Sequence, residues 1–327
     1  MSRWKMRYTP SLTMGRKRLP PKFSGIILIN KPKGMSSHDV VQQVRRKIGE
    51  RRIGHTGTLD PLATGLMVLT VGHATRLSQF VESSEKSYRG TVLLGQSTTT
   101  YDSEGEIVES KEVAPELREK LPEVLSSLTG EIHQKVPAYS AVKVDGQRLY
   151  KKARKGEEVE LPTRVVHVKA LCLWQDNWPT IHIDTVVSKG TYIRSLAVQI
   201  GDALGVPAHL TSLHRTSVGS FSVANAVSLE EVSSEDLRPI ESAVEHVKEV
   251  AITSKGESEV SFGRALMPEH ILEDSMNSIG AGELVRLTNP QGRLCAMAYV
   301  VTVISRWKPG LGLLRYACVF NSGDQVH

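Results

Sequence analysis

The chain has 327 residues, room for two domains, and its 40% hydrophobic and 23% charged content is that of an ordinary globular protein. A net charge of +6 and a pI of about 9.1 point toward an anionic partner, nucleic acid first. No apolar run reaches the ~18–20 residues of a membrane span and no apolar leader follows Met1. Cys172, Cys295 and Cys318 are far apart without Cys-x-x-Cys spacing, which argues against a disulfide framework or a zinc site and for a reducing, cytoplasmic setting.

Residues 1–23 carry Arg3, Lys5, Arg7, Arg16, Lys17, Arg18 and Lys22 with no acid. They read as a disordered basic extension, with a nucleic-acid-binding arm or an organellar targeting peptide as the alternatives. Order begins with the apolar run Ile26–Ile29, a short buried strand. Ser36 or Ser37 then caps a helix whose Val40, Val41, Val44 and Ile48 share one face, and Gly49 suits its end. Arg45, Arg46 and Lys47 lie on the other face and Arg51 and Arg52 follow; a solvated face and a phosphate-facing stripe are equally good readings.

The next stretch, "RIGHTGTLDPLATG", sets a single acid, Asp60, among small and apolar neighbours. After it come a buried strand, "GLMVLTVG", a short helix, "ATRLSQFVE", and "KSYRGTVLLG", whose alternation puts Tyr88, Gly90 and Val92 on one side. Leu117, Leu121, Leu125 and Leu128 have helical spacing, and Pro122 marks a start or kink. "IHIDTVV" is a strand that leads into a helix with Ile193, Leu196, Ala197, Ile200 and Leu204 inward and Gly205 at its end. The composition shifts near residue 249. From there short strands and turns dominate, with a hairpin across Asn-Pro-Gln-Gly, and suggest a small β-rich barrel.

Common chemistries are absent. There is no P-loop, no dinucleotide-binding glycine fingerprint and no Gly-x-Ser-x-Gly elbow. The histidines lack metal-ligand spacing, and a metal-dependent nuclease would need a carboxylate cluster that the stretch around Asp60 lacks. What remains is carboxylate chemistry without metal or cofactor.

"GHTGTLDPLATGLMVL" resembles the TruB family of pseudouridine synthases, bacterial type. "LINKPKGMSSHDVV", "KSYRGTVLLGQSTTTYDSEGEI", "VPAYSAVKVDGQRLYKKARKGEEV", "SKGTYIRSL" and "AHLTSLHRTSVGSF" accompany it in the family's order. The resemblance is dense over residues 24–225 and weaker beyond. It implies an α+β fold: a mixed-sheet catalytic domain over 24–248 and a small C-terminal β-barrel of the RNA-binding PUA type over 249–327. It implies isomerisation of the T-loop uridine, position 55, of tRNA after base flipping, with no cofactor. By motif, Asp60 matches the catalytic aspartate, Tyr88 the tyrosine that stacks on the target base, and Arg194 the arginine of "GTYIR". His55, Tyr192 and Leu213 match substrate-contacting positions.

Arg194 is then expected to hold Asp60 ionised and oriented through a charge-assisted pair, single or bidentate. Asp60 could add to the sugar, add to the base, or initiate elimination to a glycal, the route the family chemistry favours. Arg45, Arg46, Arg51, Arg52, Lys151, Lys152, Arg154 and Lys155 are the expected phosphate contacts on a tRNA T-arm stem-loop. The protein is expected to be a monomer that needs no protein partner and no membrane.

Overall fold

The computed structural model describes residues 20–140, 142–144, 146–149, 160–272, 275–308 and 312–324. Lys151, Lys152, Arg154 and Lys155, and most of the basic extension, lie outside the described residues.

Strand β1 (Gly25–Lys31) runs into the Ser37–Ile48 helix. The helix starts at Ser36, whose side chain and that of Asp39 cap each other's backbone N–H groups reciprocally, and it ends at Gly49 in the left-handed conformation (φ 70°). Val40, Val41, Val44 and Ile48 are its buried stripe. Strands β2 (Ile53–His55) and β3 (Thr64–Val71) follow, and the Asp60 loop joins them.

The remaining main-sheet strands are β4 (Lys86–Leu94), β7 (Gly130–Lys135), β10 (Thr163–Asn177), β11 (Thr180–Val187), β12 (Ala208–Val218), β13 (Phe221–Ser222) and β14 (Val227–Ser228). Between them β5 (Gln96–Thr98) pairs with β6 (Ile107–Ser110), and β8 (Lys143–Val144) with β9 (Gln147–Arg148). The main sheet has the order β14-β1-β3-β12-β4-β11-β10-β7, with β2 on β3 and β13 on β12. It is mixed: β1–β14 and β3–β12 are parallel, the other pairs antiparallel.

Two apolar layers cover the sheet. Ile27 and Ile29 of β1 and Met67 and Leu69 of β3 face the Ser37–Ile48 and Ile193–Leu204 helices. Ile26, Leu28, Leu66 and Val68 face the other way, against Leu77, Phe80, Val81 and Val244. Burial on both faces explains why β1 and β3 read as unbroken apolar runs, whereas β11, covered on one face, alternates.

Beyond Glu249 a separate four-stranded sheet forms in the order β15 (Glu249–Ala251), β16 (Leu284–Thr288), β17 (Leu294–Val300), β18 (Leu314–Val319). The β16–β17 hairpin turns where Asn289 Oδ1 accepts from the Gln291 and Arg293 amides. This sheet has a core of its own, including Val250, Ile252, Val285, Leu287 and Ala298. It also lends Leu294 and Met297, with Phe320 just beyond it, to the second layer of the main sheet. No helix among the described residues is long and apolar enough to cross a membrane.

Candidate active site

The Asp60 loop is held from three sides. Ser37 Oγ, in the first turn of its helix, donates to Leu59 O at 2.9 Å and accepts from Leu59 N at 2.7 Å. Arg215 on β12 reaches across with Nε on Leu66 O (2.7 Å) and Nη2 on Gly57 O (3.0 Å), and so ties both ends of the loop to one side chain. Lys31 Nζ, at the end of β1, donates to Pro32 O and Pro61 O. Leu59, Leu62 and Ala63 are buried beneath. At Gly65 (φ 98°) a Cβ would stand 2.4 Å from Arg215 O, so glycine is required where β3 meets β12.

With the loop fixed, the Asp60 carboxylate meets Arg194, which lies in the first turn of the Ile193–Leu204 helix and is 4% exposed. Asp60 Oδ2 is 2.9 Å from Arg194 Nε. A bidentate fork on Asp60, one of the two forms left open by the sequence, does not occur. Nη1 donates to Thr100 O (2.8 Å) and Nη2 to Tyr139 O (3.0 Å), so the fork grips main chain and it is Nε that faces the carboxylate, in an ion pair rather than an aligned hydrogen bond. The same Nε is 3.5 Å from Asp102 Oδ2. The carboxylate expected to stand alone is therefore accompanied: Asp102 is buried, held by Thr100 Oγ1 at 2.5 Å, and Glu104 lies within electrostatic reach of both aspartates. Among the described residues no three His, Cys, Asp or Glu side chains form a group that could hold a metal ion.

Burial pushes the Asp60 carboxyl above the ordinary aspartate range and Asp102 adds to the rise, while Arg194 and Lys31 pull it back. Glu104 is raised for the same reasons, burial first. The fully buried Lys31 ammonium is lowered to about 8, chiefly by desolvation, with Asp60 opposing.

A cavity of about 280 Å³ opens over this pair, lined by Asp60, Tyr88, Tyr192, Arg194 and Leu213 among others. Five of the six positions singled out from the sequence thus meet in one place. Tyr88 comes from the inward face of β4 and is 7% exposed, and Leu213 comes from β12. Tyr192 is the residue before the helix, its amide donating to Gln134 Oε1 at 2.7 Å. His55 is the exception: it sits at the end of β2 and does not line the cavity. Its Nδ1 accepts from Gly57 N at 3.3 Å, and burial lowers its pKa. A larger groove of about 430 Å³, lined by Leu121, Leu125, Leu171 and Cys172, is apolar and separate from this chemistry.

The basic stripe is divided. Arg45 Nη2 donates to Ile53 O at 2.8 Å, Lys47 Nζ to Glu230 O and Arg52 Nε to Thr75 Oγ1 at 2.9 Å, so these three serve the fold, Lys47 and Arg52 while still exposed; Arg46 and Arg51 are exposed as well. Sequence reasoning missed Lys31, Asp102, Lys86 and Arg215. Nothing in spacing links Asp60 to Asp102. Both belong to quoted family stretches, but only the pairing of β4 with β12 and the Asp102–Leu210 bridge carries the second aspartate to the first.

An unsolvated arginine facing a carboxylate beside a cavity with an aromatic wall suits a reaction in which a carboxylate attacks or deprotonates a planar substrate. The comparisons agree in kind. The TruB family pseudouridylate synthase N-terminal domain matches residues 45–193, and the tRNA pseudouridylate synthase B C-terminal domain matches residues 194–247. The tRNA pseudouridine synthase B of Geobacillus thermodenitrificans is 42% identical over 265 residues, 76% of this chain and 88% of that protein. That of Bacillus cytotoxicus is 47% identical over 216 residues, 64% and 70% of the two chains. Among solved structures, a Cbf5-Nop10-Gar1 complex contains a chain that superposes with a TM-score of 0.71 at 25% identity, covering 93% of this chain and 87% of its own.

Proposed function

We propose, for a chain that belongs to the TruB family of pseudouridylate synthases, that its substrate is tRNA and its target the T-loop uridine at position 55. The reaction breaks the bond between uracil N1 and ribose C1′, turns the base, and closes a bond from C5 to C1′; the C5 proton leaves and N1 gains one. No electron is gained or lost, so the chemistry asks for no redox cofactor. The observation that carries the reading is the Asp60–Arg194 pair at 2.9 Å in a cavity shared with Tyr88 and Leu213.

In this reading Asp60 acts on the ribose, either as a nucleophile at C1′ or as the base that starts elimination to a glycal. Arg194 keeps the carboxylate ionised, and Asp102 adds a second anionic partner at the same Arg194 Nε. Tyr88 and Leu213 hold the uracil, which must leave the RNA stack to reach them. Tyr192 borders the same space. His55, outside the cavity, serves the RNA around the vacated position. The catalytic unit is assigned to residues 24–248. The sheet beyond Glu249 is assigned, as a PUA-type domain, to contacts elsewhere on the tRNA. The working form is a cytoplasmic monomer.

The test is to map pseudouridine in tRNA incubated with the protein and with Asp60→Asn. Modification confined to the T-loop and lost in the variant is expected. Conversion at another position, or by the variant, overturns the assignment. Gel filtration of the protein alone checks the monomer.

A further inference from the structure

Besides Asp60, Arg194, Tyr88 and Leu213, the cavity wall holds two buried cations side by side, of which Arg215 braces the Asp60 loop and Lys86 has no role in the reading above. Lys86, at the start of β4, is 7% exposed and Arg215 is 1% exposed, and both line the cavity. They flank one residue: a Cβ placed on Gly57 would stand 3.3 Å from Lys86 Cε and 3.4 Å from Arg215 Nη1. Arg215 is spent on main-chain carbonyls, with Nη1 on Thr58 O at 3.4 Å besides its bonds to Leu66 and Gly57. Lys86 Nζ donates to Glu82 O at 2.8 Å and Ser84 O at 2.9 Å, which leaves one ammonium hydrogen. Neither cation is ion-paired with a carboxylate among the described residues. Glu82 lines the same cavity, but it meets Lys86 through its main-chain oxygen. Lys189 and Arg164 add two more cations to the lining.

Burying two like charges side by side is unfavourable unless an anion joins them. The cost is visible in the Lys86 ammonium, which is lowered to about 8 by burial first and by Arg215 and Lys189 in addition, with Glu82 opposing. The cavity therefore has a positive stretch of wall beside Gly57, in addition to the Asp60–Arg194 pair. A flipped nucleotide brings an anion of the required kind with it, because its base cannot enter without the phosphodiester on either side following to the rim.

We infer that Lys86, backed by Arg215 and assisted by Lys189, is a phosphodiester-binding site for one of the two backbone phosphates that flank the flipped uridine. The inference rests on the substrate reading above. The competing account is structural: Lys86 could serve only to cap the carbonyls at the end of the Ser78–Glu82 helix.

The experiment is a double-mutant cycle between protein and RNA. T-arm stem-loops carry a single neutral methylphosphonate 5′ of the target uridine, 3′ of it, or in the distant stem. Binding and single-turnover pseudouridine formation are measured with wild-type protein, Lys86→Met and Lys189→Met. One flanking methylphosphonate is expected to weaken wild-type binding about tenfold. Lys86→Met should weaken the natural RNA comparably, and the two changes together should cost no more than either alone. Additive losses overturn the site and leave the capping role. So does a wild-type protein indifferent to both flanking linkages, a result that needs no variant to fold. If Lys86→Met does not fold, Lys189→Met must show a partial, non-additive loss at the same linkage, and additivity there overturns the site. Conversion of the unmodified stem-loop separates the two readings: where it occurs, a failed cycle removes the phosphate site alone; where it does not, the substrate reading falls as well.

Discussion

Arg194 does two jobs with three nitrogens. Its two terminal nitrogens hold the Thr100 and Tyr139 carbonyls and its Nε faces Asp60 and Asp102. Lysine would keep the charge and lose the fork. Arg194→Lys is therefore expected to slow the chemical step about 100-fold, roughly 3 kcal/mol, with tRNA affinity nearly unchanged; single-turnover kinetics and a binding isotherm check both. Asp60→Asn should lower the single-turnover rate by about 10⁴, close to 5.5 kcal/mol, again with binding retained. The raised Asp60 carboxyl has a further consequence for stability. A carboxyl raised by folding is protonated more readily in the folded chain than in the unfolded one, so it favours folding at acid pH. That contribution is lost as the pH rises through the folded value. The melting temperature of Asp60→Asn relative to wild type should therefore increase from pH 4 to pH 7. A flat or falling difference would mean that Arg194 outweighs burial.

At the scale of elements, the site is a meeting of strand ends and helix starts. The parallel contact of β3 with β12, Thr64 to His214 and Gly65 to Arg215, puts Leu213 over the cavity and Arg215 under the Asp60 loop at once. Gly65→Ala would drive a Cβ to 2.4 Å from Arg215 O at a φ of 98°, so strand and loop must shift together. A loss of at least about 2 kcal/mol in urea unfolding is expected, with activity falling further than stability predicts because the loop carries Asp60. Much of this level was legible in advance. The start at Ser36 or Ser37, which the structure resolves to Ser36, the Val40–Val41–Val44–Ile48 stripe, the Gly49 and Gly205 ends and the alternation of β4 all depend on local periodicity and backbone preference, which neighbours in sequence encode. The Arg45 and Lys47 contacts were not. A basic side chain on a helix face has the same pattern whether it meets water, phosphate or a distant carbonyl.

At the scale of the whole molecule, the C-terminal sheet is both a separate unit and part of the main core. Its own cluster can fold around Val250, Val285 and Ala298, yet Leu294, Met297 and Phe320 pack on the layer behind β1 and β3. Arg76 adds a link by donating to Val319 O and pairing with Asp324 at 2.7 Å. Removing residues 249–327 should therefore lower stability by about 5 kcal/mol, from three large apolar side chains lost at roughly 1.5–3 kcal/mol each. If that sheet also holds tRNA, affinity for whole tRNA should fall more than affinity for a T-arm stem-loop. Thermal melts and binding to both RNAs, taken below the truncated protein's transition, measure the two effects separately. Affinity for tRNA should also drop steeply from low to physiological salt, because exposed Arg46 and Arg51 can meet phosphate.

By itself the sequence determined the helices that flank the site, strands β1, β3, β4 and β11, and the α+β class, and its motifs carried the family resemblance that singled out Asp60, Tyr88, Arg194, Tyr192 and Leu213; strands β7, β10 and β12 it did not mark. The tertiary structure alone decided that Asp60 is not solitary, since Asp102, 42 positions further along the chain, comes beside it only where both approach Arg194. It alone set His55 outside the cavity and turned the Arg194 fork toward main chain. It alone buried Lys86 beside Arg215. The physical reason is common to all four. Electrostatic partners are chosen by distance in space, and distance between remote residues is set by strand pairing and core packing, which no single stretch of sequence contains.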